Sequence, residues 1–344
     1  MIIVKIAIEP VFDPFGGMYP YISGIRKYST YSVQEVPSRL TRLFLNRSRW
    51  MKNKYKSSLL WTGLTGFNAL HSMADPWFMN ICRKSRTSEC KWIHTYHLMF
   101  FSEDYKSGLA AWQVETNRSL IEIASEADLK IATSKWFHEY LREKYSIETI
   151  IVPGGIDVEM CEKADPIRFS NKYGLRDFIL FVGSIREVKD PPAFVMLAKK
   201  LKEEQFVMIG VGLNNINIKN VYGIDLPPNL ITLDNMKRID VLDAISASKA
   251  FVLTSKHEGF PQVVLEAMAM AKPVVISSYI GAEDIIPSNE FGYIYQKESI
   301  DDLVDKTKTA LNSSQIGENA RQRVRENFNW KQLINTIDRY YDKL

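Results

Sequence analysis

A series of short, wholly apolar runs separated by helix-length segments limits what this chain can fold into. In the second half they read FILFVGS (178–184), FVMIGVG (206–212), LITLDN (230–235), KAFVLTS (249–255), PVVISS (273–278) and GYIYQ (292–296). In the first half they read IIVKIAI (2–8), SLLWTG (58–63), WIHTYH (92–97), LKIATS (129–134) and TIIVPGGID (149–157). A strand with one wet face would alternate apolar and polar residues. Runs without alternation belong to parallel sheets covered by helices on both faces. Stretches such as PAFVMLAKKLKEE, which follows the run at 178–184, supply those helices. The order strand, helix, strand predicts an α/β protein. At 344 residues the chain exceeds one ordinary core. Two doubly wound, Rossmann-like domains are expected, 1–157 and 158–327, with the boundary in the polar stretch 157–170. A first helix is expected over about 19–31.

One turn then draws attention. Ser255–Ala269 reads SKHEGFPQVVLEAMA, with Glu258 and Glu266 separated by seven residues. Pro261 suits the first position of a helix that Pro273 ends. The turn therefore lies at the carboxyl end of a parallel strand, where open α/β sheets bind ligands. Backbone N–H groups of Gly259, Phe260 and Gln262 face that position, and the helix dipole favours anions there. Glu258 can accept hydrogen bonds from hydroxyls. Glu266, among Val264, Leu265 and Met268, is a buried acid with a specific partner or a solvated one. Two acceptors around a row of N–H donors suit a ligand with hydroxyls at both ends and phosphate between, the layout of a nucleotide sugar.

The stretch resembles the C-terminal domain of GT-B glycosyltransferases, family 4 (glycosyl transferases group 1) in particular. Glu258-Gly259-Phe260-Pro261, with Glu266 eight residues after the first acid, matches the family signature; Ala271 stands where glycine is usual. VPGGID (152–157), FVGSIREVKD (181–190), YIGAEDII (279–286) and ENFNWKQL (326–333) resemble further family segments in the same order. Gly154, Ile280 and Asp284 depart from the pattern. The resemblance implies that the domains face each other across a cleft and that a helix at about 328–344 returns to the first. It also implies a retaining transferase that moves a hexose from a UDP- or GDP-sugar to a saccharide or lipid-linked acceptor by front-face attack. Another GT-B enzyme, an epimerase or phosphorylase, or a non-catalytic nucleotide- or glycan-binding protein are the alternatives.

The resemblance assigns residues to roles. Glu258 would contact the donor sugar, Glu266 the ribose, and the N–H groups of Gly259 and Phe260 sugar or phosphate oxygens. The family neutralises the diphosphate with an Arg and a Lys five apart. Lys189 matches the Lys, but Ser184 occupies the Arg position, and Arg186 is the replacement considered. His97 aligns with the family's active-site histidine, with His94 as competitor. Gly16 and Gly17, after the first strand, would let backbone approach the donor. Gly210 and Gly212 would line the nucleotide pocket, and backbone near 233–236 would meet the base. Glu9 and Asp13 are placed to touch acceptor. No metal and no cofactor beyond the donor substrate are expected.

Charge narrows the partners. Residues 1–150 carry 20 Lys and Arg against 14 Asp and Glu, whereas the remainder carries 24 against 26. The excess comes from an acid-free stretch holding Arg39, Arg42, Arg47, Arg49, Lys52, Lys54 and Lys56 with apolar residues interleaved. It reads as a solvated helix face or as a surface for anionic lipid or a phosphorylated acceptor. Nucleic acid is not expected, since the net charge is only +4 and no binding motif is present. No apolar run reaches the roughly 18 residues that span a bilayer. Cys82, Cys90 and Cys161 lack paired spacings. Reduced thiols and a cytoplasmic protein, in contact with the inner membrane face if the basic stretch binds lipid, are the expectation.

Overall fold

The computed structural model describes residues 5–10, 18–37, 53–55, 57–59, 63–97, 99–234 and 236–343. The chain divides into two compact units, one formed by 1–102, 107–155 and 330–344, the other by 103–106 and 156–329. Among the described residues no helix is long and apolar enough to cross a membrane.

Among the described residues the first unit holds six parallel strands: β1 (Lys5–Ile8), β2 (Ser32–Glu35), β3 (Ala69–Ser72), β4 (Lys91–Tyr96), β5 (Leu129–Ala132) and β6 (Ile150–Ile151). Their order is β2-β1-β3-β4-β5-β6. Successive residues feed opposite faces, as the period of two in a strand requires. Ile6, Ile8, Ile93 and Ile131 join a core containing Ile22, Ile25, Trp330 and Ile334. Ala7, Trp92 and Ala132 join a second core with Phe78, Met79, Leu120 and Phe137. The first face is thus covered by helices Met18–Tyr28 and Trp330–Asp342, the second by Pro76–Ser85, Ala111–Glu122 and Lys135–Tyr145.

The second unit repeats the plan with β7 (Phe178–Ser184), β8 (Phe206–Val211), β9 (Leu230–Leu233), β10 (Ser248–Leu253), β11 (Val274–Ser277) and β12 (Tyr293–Tyr295). The order is β12-β11-β10-β7-β8-β9, all parallel. Strand order therefore reverses between β10 and β7, the switch point at which such sheets open a crevice. One large core runs through both faces of this sheet.

The α/β reading and the double winding of each unit hold, and two local expectations do not. SLLWTG is not a strand where it is described: residues 57–59 are helical and 60–62 lie outside the described residues. The neighbour of β1 is instead β3, ALHS, whose His71 and Ser72 are fully buried. Its polar residues hide it from an apolar-run criterion; side-chain partners inside the core, not apolarity, make it a strand. The first helix stops at Tyr28. Beyond it Ser29 Oγ and the Thr30 N–H donate to Asp338 at 2.7 and 2.8 Å, which draws the chain away from helical geometry.

Candidate functional site

The loops after β7 and β10 meet at the switch point. Lys189 Nζ donates to Glu258 Oε1 at 2.5 Å, and Ser255 Oγ donates to the same oxygen at 2.6 Å. Two further bonds stitch the loops: Thr254 Oγ1 donates to the Asp190 carbonyl at 2.8 Å, and the Lys256 N–H to the Val188 carbonyl at 2.8 Å. The local sequence explains the first loop. A 3-10 turn over Glu187–Lys189 ends at Asp190, and Pro191 and Pro192 start the next helix, where a missing N–H removes no helical bond. Lys189 is thereby held at the end of the turn.

Ser184 and Arg186 lie on the same loop. Arg186 Nε donates to Ser184 Oγ at 3.1 Å, so the guanidinium sits over the position at which the family carries its arginine. The neighbouring Glu187 pairs with Lys256 at 3.8 Å.

Pro261 is the cap residue immediately before the helix Gln262–Ala269, one position earlier than expected. No side chain caps this helix, and among the described residues nothing accepts from the N–H groups of Gly259 and Phe260. The free end of the helix keeps its donors for an anion. Phe260 packs on Phe328, ring centroids 5.5 Å apart.

Glu266 is the buried acid of the two alternatives. Its side chain is 3 % exposed and pairs through Oε1 with Arg238 Nη2. Its Oε2 is buried without a hydrogen-bond partner, as are Gln262 Oε1 and Tyr279 Oη. Buried polar atoms are normally satisfied, so three such atoms, two on the helix after β10 and one in the loop after β11, leave acceptors and a hydroxyl open to a polar ligand.

Gly210 has a packing reason of its own. Its φ is +145° and an added Cβ would lie 1.8 Å from the Gly183 carbonyl oxygen. Close approach of β7 and β8 demands glycine there whether or not a ligand binds. The Gly212 N–H donates to Asp234 Oδ1 at 3.2 Å. Of the backbone expected to meet the base, Leu233 ends β9, residues 234 and 236 follow it, and 235 is outside the described residues.

In the first unit His97 directly follows β4, at the carboxyl end of its sheet. Its ring meets Tyr21 edge-on at 4.3 Å, and its Nε2 is buried without a partner. Burial lowers its pKa to about 3. The competitor His94 lies inside the core, with Nδ1 at 2.8 Å from Ser72 Oγ. Glu9 does not serve as an acceptor contact. Its carboxylate takes the N–H groups of Met73, Ala74 and Asp75 at 2.6, 3.0 and 2.9 Å, and so ties β1 to the loop after β3. Burial, then the charge of Asp75, raises its pKa to about 8 against those three donors. Gly16, Gly17 and Asp13, and all of the basic stretch except Lys54, lie outside the described residues.

Two contributions escaped the sequence. Arg238 is 28 positions before Glu266, and no motif connects them. His257 lies inside the quoted turn, yet its Nδ1 faces Asp104 Oδ2 at 3.7 Å, a partner more than 150 residues away. Burial lowers the His257 pKa and raises that of Asp104. Among the described residues no three His, Cys, Asp or Glu side chains gather as a metal site would. The three cysteines are buried free thiols.

The chain is similar to known proteins in sequence and in fold. Residues 163–329 match the family described as Glycosyl transferases group 1. Over 280 residues the chain is 24% identical to an uncharacterised glycosyltransferase of Methanocaldococcus jannaschii, covering 77% of this chain and 71% of that protein. Over 214 residues it is 26% identical to the UDP-Gal:alpha-D-GlcNAc-diphosphoundecaprenol alpha-1,3-galactosyltransferase of Escherichia coli, covering 56% and 52%. Sucrose-phosphate synthase from Thermosynechococcus elongatus superposes with a TM-score of 0.78 at 17% identity over 99% of this chain and 98% of that one. Anabaena HepE in complex with UDP and glucose superposes at 0.76 and 14% identity over 99% and 100%. The fold is GT-B, and the sequence relatives are glycosyltransferases. Residues 163–329 carry the match to the glycosyl transferases group 1 family, and the similarity to a glycosyltransferase extends over 77% of the chain.

Proposed function

We propose that the chain is a retaining hexosyltransferase that takes a sugar from a UDP-sugar and passes it to a saccharide or lipid-linked acceptor. The observation that carries this reading is the meeting of Lys189 and Glu258 at 2.5 Å at the switch point of the second sheet. Relatives support the donor and acceptor classes. The Escherichia coli relative is named for UDP-Gal and a diphosphoundecaprenol acceptor, and a Campylobacter jejuni relative for an undecaprenol diphosphate glycan. HepE was crystallised with UDP and glucose.

In this reading Glu258 accepts hydroxyls of the donor sugar and Glu266 takes the ribose. The open N–H groups of Gly259 and Phe260 hold sugar or phosphate oxygens. As the bond from the anomeric carbon to the diphosphate breaks, negative charge grows on the leaving group. Lys189 and Arg186 are the fixed cations that meet it, which lowers the barrier without reorganisation. The acceptor oxygen attacks from the face the diphosphate leaves, and the leaving phosphate takes its proton. Retention follows from same-face exchange. His97, neutral at physiological pH, is assigned a polar contact and not the role of base. The reading assigns no metal. Contact with an anionic membrane through Arg39–Lys56 completes it and rests on sequence charge alone. Loss of vesicle binding on neutralising Arg47, Arg49, Lys52 and Lys54 is its requirement.

The test is a thermal-shift panel of UDP, GDP, ADP and their sugars on the parent and on Glu266→Gln, followed by the anomeric configuration of any product. Ligand that binds only the folded state raises the midpoint. A shift with UDP that shrinks in the variant, and a retained product, are expected. No shift with any nucleotide overturns the donor assignment; an inverted product overturns the mechanism.

A further inference from the structure

Arg238 opens the helix Arg238–Ala247, and Glu266 lies in the second turn of the neighbouring helix Gln262–Ala269. The guanidinium engages one carboxylate oxygen, Oε1, and leaves the other, Oε2, buried and without a partner. The carboxylate is 3 % exposed, the arginine side chain 32 %. A carboxylate that deep keeps its charge only beside a counter-charge. An unfilled acceptor on it is costly until a donor arrives. One turn earlier, Gln262 Oε1 is also buried and unpartnered, so the same helix face presents a second open acceptor.

We propose that Arg238 is a positioning residue. By binding Oε1 it fixes the rotation of the Glu266 carboxylate, so that Oε2 points its lone pairs at one ribose hydroxyl. Selection of ribonucleoside over deoxyribonucleoside diphosphates then depends on Arg238, acting through Glu266. This rests on the donor reading above, in which Glu266 takes the ribose.

The experiment compares binding of UDP, GDP and ADP with their 2′-deoxy and 3′-deoxy forms to the full chain by calorimetry. Parent, Arg238→Gln and Arg238→Lys are measured, with the unfolding midpoint of each recorded. The parent should favour the ribonucleotide over one deoxy form by about tenfold or more, the value of a hydrogen bond to a charged group. Arg238→Gln should bring that preference to within about twofold, and Arg238→Lys, which keeps the charge but not the fork, should restore part of it. A lowered midpoint in Arg238→Gln with full ribose preference would reduce the pair to a structural ion pair and overturn the proposal. Should Arg238→Gln fail to fold, an undiminished preference in Arg238→Lys overturns it equally. A parent that discriminates no sugar while binding UDP overturns the role of Glu266. A parent that binds no nucleoside diphosphate overturns the donor reading and this one with it.

Discussion

Lys189 and Glu258, 69 positions apart in the chain, share a hydrogen bond of 2.5 Å where the strand order of the second sheet reverses. Each is largely buried, the lysine side chain 20 % and the glutamate 10 % exposed. The cation therefore already stands beside the acid that the proposed mechanism sets against the donor sugar. Its charge is available to a leaving diphosphate at the same place. Replacing Lys189 by Met should lower kcat about 10²-fold or more, the cost of removing one preorganised stabiliser of developing charge. The measurement is steady-state transfer with saturating donor. A change confined to KM would show that Lys189 contributes to binding only.

Arg186 bonds Ser184 and so reaches back over the position of the family's arginine. If it substitutes for that cation, Arg186→Ala should reduce kcat by more than tenfold. Adding Ser184→Arg in the same chain should recover most of the loss. A double variant no faster than the single one would sink the substitution idea.

Ala271 has φ +56°, the left-handed region in which a Cβ meets backbone. The carbonyl oxygen it carries lies 2.0 Å from where a Cβ on Gly317 would sit, so the turn is pressed against the helix Ser314–Asn327 and cannot relax. Ala271→Gly should stabilise the fold by about 1 kcal/mol, the relief of the left-handed penalty less the added chain entropy. Gly317→Ala should destabilise it. Thermal or urea unfolding decides, and a lower midpoint for Ala271→Gly would contradict the strain.

The histidines of the first unit make stability fall in acid. Burial lowers the pKa of His71, and of His97, to about 3, while an unfolded histidine titrates near 6.5. The folded state thus binds fewer protons than the unfolded one between those values. The neutral rings' stability is complete above pH 6.5 and is lost as pH falls from there towards 3, at about 1.4 kcal/mol per pH unit for each ring. His97→Gln should flatten the acid side of a plot of unfolding free energy against pH. An unchanged slope would mean that His97 is protonated in the folded protein.

The opposite case shows why His71 tolerates burial. Its Nδ1 lies 2.8 Å from Tyr341 Oη and its Nε2 2.7 Å from Thr95 Oγ1, so both ring nitrogens are satisfied without a proton from solvent. Tyr341 sits on the return helix Trp330–Asp342, which closes one face of a sheet whose strands come from the other end of the chain.

By itself the sequence determined what depends on neighbours in the chain. Unbroken apolar runs specify strands buried on both faces. Prolines and capping residues specify where helices begin, and the Glu258 to Glu266 spacing puts two acids on one strand, turn and helix. These are local consequences of backbone sterics and of apolar burial, so they are legible without the fold. The same limit explains the misses. ALHS is a strand because Ser72 and His71 find partners in the core, whereas Ser58 and Leu59, which open the apolar run SLLWTG, are helical. Only the tertiary structure decided which distant groups meet. Parallel strands need long crossovers, so each carboxyl-edge loop faces another loop many residues away. The pairs Lys189 with Glu258, Arg238 with Glu266 and Asp104 with His257 arise from that winding, and nothing in the spacing of the residues encodes them.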